Sequence, residues 1–517
     1  MSLAFWNNPL VVSAFRIKFL RGSPFGNTVK YLLLLAAGGA LLEHYNNDLF
    51  RGTHWPRNYF LAMMGLQFLL SGLIAVSATS TSLRSEVTNR TLDMQRIASL
   101  SPRQILLGKL LGEPASAYLL AIATVPLGVF CWMWGGVSLE VLVLVYVSLA
   151  SNTLLFGALG LLMRLDVPAG GSGPRKGGPE ALVMFAVITS VFMVPLLILV
   201  GPRLIHVNWA AAVVGLFSSV PAFYAVVRGT PWEYTISLFN ADVPALFLAP
   251  VGQLAVAYLC FQSMVRQLVN PLNAPFGKGL AYVTLAAVDV LTAAVLYDSG
   301  PGSTQLHVRI GAFCLTHLFA SHFLIINTTP WRETLHSWVW RFRGRRPWLW
   351  DWWLGNRSDN GLALLTFCAI GLVNLVLFVL APAVRADGQQ ALQDAAPVLA
   401  SATALLVMLT LTFGTLHQWL VFVAGRGGLG TMTTLIALVI AMPHVVGYYY
   451  ELDWLLLFSP SYHVNHWFVD PRPVKELCPL VAEYGAMFLA AWLALHQGLR
   501  QLESVVHRKL QEMGVRA

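Results

Sequence analysis

The feature that most constrains this chain is a succession of apolar runs, each long enough to cross a lipid bilayer and joined to the next by a short connection. Tyr59 to Val76, Leu139 to Met163 and Leu362 to Val384 each reach the length a helix needs to traverse about 30 Å of hydrocarbon. A chain of 517 residues that is 56% hydrophobic and 11% charged, with a mean hydropathy of +0.64, carries more apolar surface than a soluble core absorbs. Lipid is therefore the expected solvent, and the expected fold is an all-α polytopic membrane protein of about 12 transmembrane helices in two six-helix halves.

Six spans are expected in the first half: Val29 to His44, Asn58 to Ser80, Pro114 to Trp134, Leu139 to Met163, Ala181 to Val200 and Val243 to Val265. The second half gives Ala281 to Tyr297, Ile310 to Ile326, Leu362 to Val384, Pro397 to Val423, Met432 to Tyr449 and Cys478 to Gln497. Arg and Lys collect in alternate connections: Arg84 to Lys109 after the second span, Arg164 to Lys176 after the fourth, Arg266 and Lys278 at mid-chain, then Arg332 to Arg357, Arg426 and Arg500 to Lys509. Positive charge holds such loops in the cytoplasm, so both termini are expected there. The segment Trp209 to Val227 would break this parity as a full span; with Gly215, Ser218, Ser219 and Pro221 it suits a re-entrant, broken helix, and a thirteenth span is the competing reading. Pro9 to Leu20, carrying Arg16 and Lys18, reads as an amphipathic surface helix feeding the first span.

This topology accounts for the net charge of +9 without any nucleic acid. Cys131, Cys260, Cys314, Cys368 and Cys478 show no paired spacing, and four of them lie inside apolar runs, so they read as small buried hydrophobes. A short internal repeat supports the division into residues 1–270 and 271–517: Pro250 followed by Arg266-Gln267-Leu268 rhymes with Pro479 followed by Arg500-Gln501-Leu502. The aromatic connections Trp232 to Asn240 and Trp454 to Asn465 precede these spans in each half. Parallel repeats commonly frame a transport pathway, with chance similarity as the competing explanation.

Loop 81–113 carries the most informative residues. It reads Ser85-Glu86, then Thr91-Leu92-Asp93, then Leu100-Ser101-Pro102 and, after Gln104, Gly108-Lys109. Leu92, Ile97 and Leu100 alternate with Arg90, Asp93, Arg96 and Arg103, which suits a helix pressed between membrane and a soluble partner. This ordered set resembles the ABC-2 type permeases, the transmembrane subunits of ATP-binding-cassette transporters, over about the first half of the chain. The family's usual Pro-Leu-Ser is here Ser99-Leu100-Ser101 with the proline displaced to Pro102, so the local turn is expected to differ. The resemblance implies that Glu86, Thr91, Leu92, Asp93, Leu100, Ser101, Gly108 and Lys109 belong to a coupling loop that docks on an ATPase. The bland alternative is an ordinary basic interfacial loop.

In the second half, loop 331–360 holds Arg332-Glu333-Thr334-Leu335, an eroded echo of the motif, followed by Trp338, Trp340, Arg341 and further Trp and Arg residues. A second docking helix, an anionic-lipid site and a plain aromatic belt all fit that composition. No Gly-rich loop ending in Gly-Lys-Ser/Thr occurs, and the glycines from Gly170 to Gly178 read as a linker, so ATP and Mg are expected on separate ATPase chains, two per single copy of this chain, with a dimer of the chain as the alternative assembly, and no cofactor on this one. Ionisable residues at membrane depth are Asp289, Glu483, His317, His322, His417 and His444. Each is a functional candidate, with interhelical hydrogen bonding as the simpler role. His463, His466 and Asp470 are a weak metal constellation beside an aromatic cap of Trp454, Tyr462 and Trp467, and no metal site is expected.

The resulting expectation is a non-enzymatic permease subunit of an exporter, embedded in a bacterial inner membrane, with room for accessory membrane or periplasmic proteins. An ion-coupled secondary transporter using Asp289 or Glu483, an enzyme acting on lipid-linked substrates, and a membrane scaffold remain open alternatives.

Overall fold

The computed structural model describes residues 8–21, 24–49, 55–89, 91–97, 100–135, 137–165, 218–269, 274–297, 303–328, 360–383, 388–424 and 485–498, with 500, 501 and 504. Two compact units emerge, one made of Met1–Ser237 and Ala241–Pro271, the other of Leu238–Asn240 and Leu272–Ala517.

The first unit opens with α1 (Pro9–Arg21), α2 (Pro24–Leu49) and α3 (Trp55–Thr88). Two shorter helices follow, α4 (Thr91–Ile97) and α5 (Pro102–Gly112), before α6 (Ala115–Gly135) and α7 (Leu139–Leu165). After a gap in the described residues come α8 (Val220–Arg228), the strands β1 (Thr235–Leu238) and β2 (Ala241–Pro244), and α9 (Ala245–Val269). The second unit contains α10 (Lys278–Leu296), α11 (Ser303–Thr328), α12 (Asn360–Ala383) and α13 (Gly388–Ala424).

Seven stretches among the described residues are long and apolar enough to cross a membrane: Trp55–Leu83, Ala115–Trp134, Leu139–Leu162, Ala245–Val269, Lys278–Leu296, Ala363–Leu380 and Ala402–Val421. They coincide with seven of the expected spans and fit a multi-pass membrane protein. The expected spans Val29–His44 and Ile310–Ile326 are also helical, but their apolar stretches, Phe25–Leu41 and Ala312–Thr328, are shorter. Glu43 and His44 bound the first, and His307 and Arg309 precede the second. The expected spans Ala181–Val200 and Met432–Tyr449 lie outside the described residues, and so does the start of the last, which is helical over 485–498. Of the segment read as re-entrant, the part from Ser218 onward enters the nine-residue helix α8. At 1.5 Å per residue that helix covers about 14 Å, roughly half the hydrocarbon thickness.

The aromatic connection at Trp232 to Asn240 forms a two-stranded ribbon, the one departure from α structure among the described residues. Its tip, Phe239 and Asn240, has φ of 51° and 64°. Positive φ at both central positions is what a two-residue hairpin turn needs to match the twist of its strands.

Helices α3, α7 and α9 form the centre of the first unit. With no hydrophobic drive between helices in lipid, close backbone approach and interhelical hydrogen bonds do the joining. Gly160 of α7 sits directly on α3: a Cβ there would lie 2.4 Å from Thr79 Oγ1 and 2.8 Å from the Val76 carbonyl oxygen. Ser151 Oγ of α7 donates to Gln253 Oε1 of α9 at 2.5 Å, and Gln253 Nε2 donates to the Ser218 carbonyl at 3.2 Å. Tyr31 of α2 donates to Gln67 Oε1 of α3 at 2.6 Å. The second unit packs α10 to α13 around Phe313, Leu375, Phe378, Leu406 and Phe413, with Phe313 and Phe378 stacked at 5.6 Å.

Because the contact at Gly160 is to backbone, which cannot rotate away, Gly160→Val is expected to cost about 1–3 kcal/mol through overpacking. A thermal melt of the detergent-solubilised protein, read beside Gly38→Val, whose Cβ would meet nothing within 4 Å, checks this.

Candidate functional site

The loop singled out in the sequence folds into a compact corner of the first unit. Ser82 lies at the end of the apolar stretch of α3, and the helix continues past Leu83 to Thr88 and so carries Glu86 to the start of α4. The turn between α4 and α5 has a local cause. Ser101 is the N-cap of α5, Pro102 occupies the first helical position and Gln104 the third. The Gln104 N–H donates to Ser101 Oγ at 3.3 Å, and the Ser101 N–H donates to Gln104 Oε1 at 2.9 Å. This reciprocal capping box satisfies two otherwise orphaned donors, and proline fits the position after it because its missing N–H is not needed there. The displaced proline thus starts a helix.

Lys109, with a side chain only 4% exposed, pairs its Nζ with Glu86 Oε2 at 2.6 Å. The same ammonium donates to Ser82 Oγ at 3.0 Å. Ser82 in turn donates to Glu113 Oε1 at 2.7 Å, and Glu113 Oε2 pairs with Lys18 of α1 at 3.1 Å. The row Glu86, Lys109, Ser82, Glu113, Lys18 alternates in charge and sums to zero, which is the condition for placing a lysine at so little exposure. Glu86 also holds α4: Gln95 Nε2 donates to Glu86 Oε1 at 2.9 Å, and Thr91 Oγ1 donates to the Glu86 carbonyl oxygen at 3.4 Å.

On another face of α5, Gly108 and Gly112, four residues apart, meet α1. A Cβ on Gly108 would lie 2.5 Å from Leu10 Cβ, and one on Gly112 would lie 2.6 Å from Ala14 Cβ. Paired small residues at this spacing let two helix backbones approach closely. Asn8 adds a hydrogen bond from its Nδ2 to the Gln104 carbonyl oxygen at 2.8 Å. The helix expected over Pro9 to Leu20 therefore packs along α5.

The structure brings Glu86, Thr91, Gly108 and Lys109 into this corner. Ser101 caps α5, and Leu100 packs against a core of Leu83, Ile105, Leu106 and Leu110. Leu92 and Asp93 lie on α4, their side chains outside the described residues. The outer side of α4 presents Met94 and Ile97, exposed at 72% and 84%. Sequence reasoning missed Ser82, Glu113 and Asn8; the Ser-Pro-x-Gln cap was the one legible local signal.

A second polar cluster lies in the second unit. Asp289 of α10 and His317 of α11 are 1% and 0% exposed. His317 Nδ1–H donates astride the carboxylate, 3.0 Å from Oδ1 and 2.9 Å from Oδ2. Asn374 Nδ2 of α12 donates to Oδ2 at 3.2 Å. His322 donates from Nδ1 to the Leu318 carbonyl of its own helix, and its ring meets Phe413 of α13 edge-on at 5.2 Å. His417 is buried on α13. Glu483, His444, Arg332, Glu333, Trp338, Arg341, His463 and His466 lie outside the described residues. Among the described residues no three His, Cys, Asp or Glu side chains gather to hold a metal ion, and Cys131, Cys260, Cys314 and Cys368 are buried free thiols.

Two outcomes follow from this geometry. Glu86→Gln, Lys109→Met and their double variant, followed by unfolding in mixed detergent, are expected to give a coupling of roughly 1–3 kcal/mol, because each single change leaves a partly buried group without its partner. Gly108→Leu is expected to detach α1 from α5, read as faster amide exchange across 9–21. No family model matches the chain, nor does any curated protein or solved structure.

Proposed function

We propose that this chain is the permease subunit of an ABC-2 type exporter, in which α4 is the coupling helix that docks on a separate ATPase. The observation that carries the reading is the contrast between the two sides of α4. Its inner side is fixed to the end of α3 through Glu86, Gln95 and Thr91, and its outer side leaves Met94 and Ile97 uncovered. An exposed apolar pair on a firmly held short helix is the form expected of a docking element, since a preorganised surface loses little freedom on binding.

The chemistry divides accordingly. ATP and Mg act on the partner, and this chain supplies the pathway and receives the motion. Helix α3 is the recipient: it begins in the apolar stretch and runs past Glu86 to Thr88 without a break, so displacement of α4 reaches the membrane-crossing part through one continuous element. The Lys109 pair ties α5 into the same movement. Two ATPases per chain fit a polypeptide with two halves, and the cytoplasmic face of a bacterial inner membrane is the location this assigns to α4.

The test is co-purification of the tagged full-length chain from its own membranes in mild detergent, with the retained partner assayed for ATP hydrolysis. An ATPase subunit is expected to copurify with the wild type and to be lost on Met94→Glu and Ile97→Glu, exposed changes that leave the thermal melt unaltered. An ATPase absent from the wild type, or retained by both variants, overturns the reading.

A further inference from the structure

We infer that the Asp289–His317 pair is a proton-binding site within the second unit, with Nε2 of His317 as the atom that takes up the proton, a site independent of ATPase docking. Three observations carry it. The first is the bridge: Nδ1 of His317 sits 2.9–3.0 Å from both carboxylate oxygens, which places one proton between the groups and turns the lone pair onto Nε2. The second is that Nε2, on a ring with 0% exposure, has no hydrogen-bond partner among the described residues. The third is Gly371 of α12: a Cβ there would meet His317 Cε1 and Nε2, each at 2.6 Å. The backbone of α12 therefore covers that edge of the imidazole. A metal ion with further ligands, or an organic ligand, does not fit between them; a proton does.

The balance of charge explains why the site is poised. With one proton, in the Nδ1–carboxylate bridge, the pair has a net charge of −1. Among the described residues, the further hydrogen bond to the pair is from the neutral amide of Asn374. A buried net charge stabilised by one amide donor is costly at membrane depth. With a second proton on Nε2 the pair becomes imidazolium and carboxylate, net charge zero, but the new N–H faces Gly371 and lacks an acceptor, also costly. Each state leaves one group unsatisfied, so neither is locked.

Among the described residues, α10 carries Lys278 and Tyr282 besides Asp289, and α11 carries His307, Arg309, Cys314 and His322, the last two three residues before and five after His317. Helix α12 has no charged residue and adds the buried Cys368, whose thiol faces the Val407 carbonyl. Helix α13 adds His417, and the helix over 485–498 adds His496, stacked on Trp492. His322 keeps its Nδ1–H on its own helix, so of the two histidines of α11 that lie near the pair only His317 donates to Asp289.

The experiment is 15N-histidine NMR on the full-length protein in lipid nanodiscs, with the His317 signals assigned by their loss in His317→Gln. Across a pH titration of the folded protein, Nε2 of His317 is expected to move from a lone-pair to an N–H position while Nδ1 stays an N–H throughout. Asp289→Asn is expected to remove that transition, and His322→Gln to leave it intact. Should Asp289→Asn fail to fold, Asn374→Leu replaces it and is expected to displace the transition. An Nε2 signal that does not change across the titration overturns the inference, as does an identical transition in the Asp289 or Asn374 variant.

Discussion

The pairing of Lys109 with Glu86 is the interaction on which the corner of the first unit depends. A lysine side chain 4% exposed is stable only if its charge is met, and here Glu86 and Ser82 meet it from a helix more than twenty residues earlier in the chain. That requirement fixes how α5 lies on α3, and the placement of α5 in turn decides where α1 can pack, through Gly108 and Gly112. It also explains why a glycine precedes the lysine. The residue that carries the charge points into α3, while its neighbour has to admit another helix at backbone distance.

The two polar clusters solve the same physical problem in different ways. In the first unit the charges alternate along a row of five side chains and cancel, an arrangement without a surplus. In the second, one carboxylate is shared by one imidazole and one amide, and a ring nitrogen is left over. A cancelled network holds a shape, whereas an incomplete one holds alternatives. Glu86 and Lys109 accordingly hold α5 on α3, whereas the arrangement at Asp289 and His317 leaves a ring nitrogen free to exchange.

Much of the helical scaffold was legible in the sequence because length and hydropathy are local properties. Seven of the expected spans need nothing beyond about 20 consecutive apolar residues. Pairing is a different kind of information. Glu86 and Lys109 both stood out, and so did Asp289 and His317, but the members of each pair lie on different helices, and nothing in one dimension says which faces meet. Asn374 and Gly371 were invisible for the opposite reason: inside the run Leu362 to Val384 an asparagine and a glycine do little to the hydropathy that defines a span. The proline shift at Pro102 was read as a changed turn when Ser-Pro-x-Gln already contained a helix start. The ribbon at Thr235 to Pro244 was missed because its tip residues, Phe239 and Asn240, are not the Asn-Gly pair that announces such a turn.

Helix α3 has one more consequence, and it is a matter of leverage. Its 34 residues run without interruption from Trp55 to Thr88, about 50 Å along the axis at 1.5 Å per residue. The end that carries Glu86 is the short arm, and the close contact of Val76 and Thr79 with Gly160 sits where a fulcrum would. A tilt of about 5° over that length displaces one end relative to the other by roughly 4 Å, about the rise of three helical residues. A tilt about that contact would therefore carry Trp55 farther than Glu86, because Trp55 lies at the end of the longer arm.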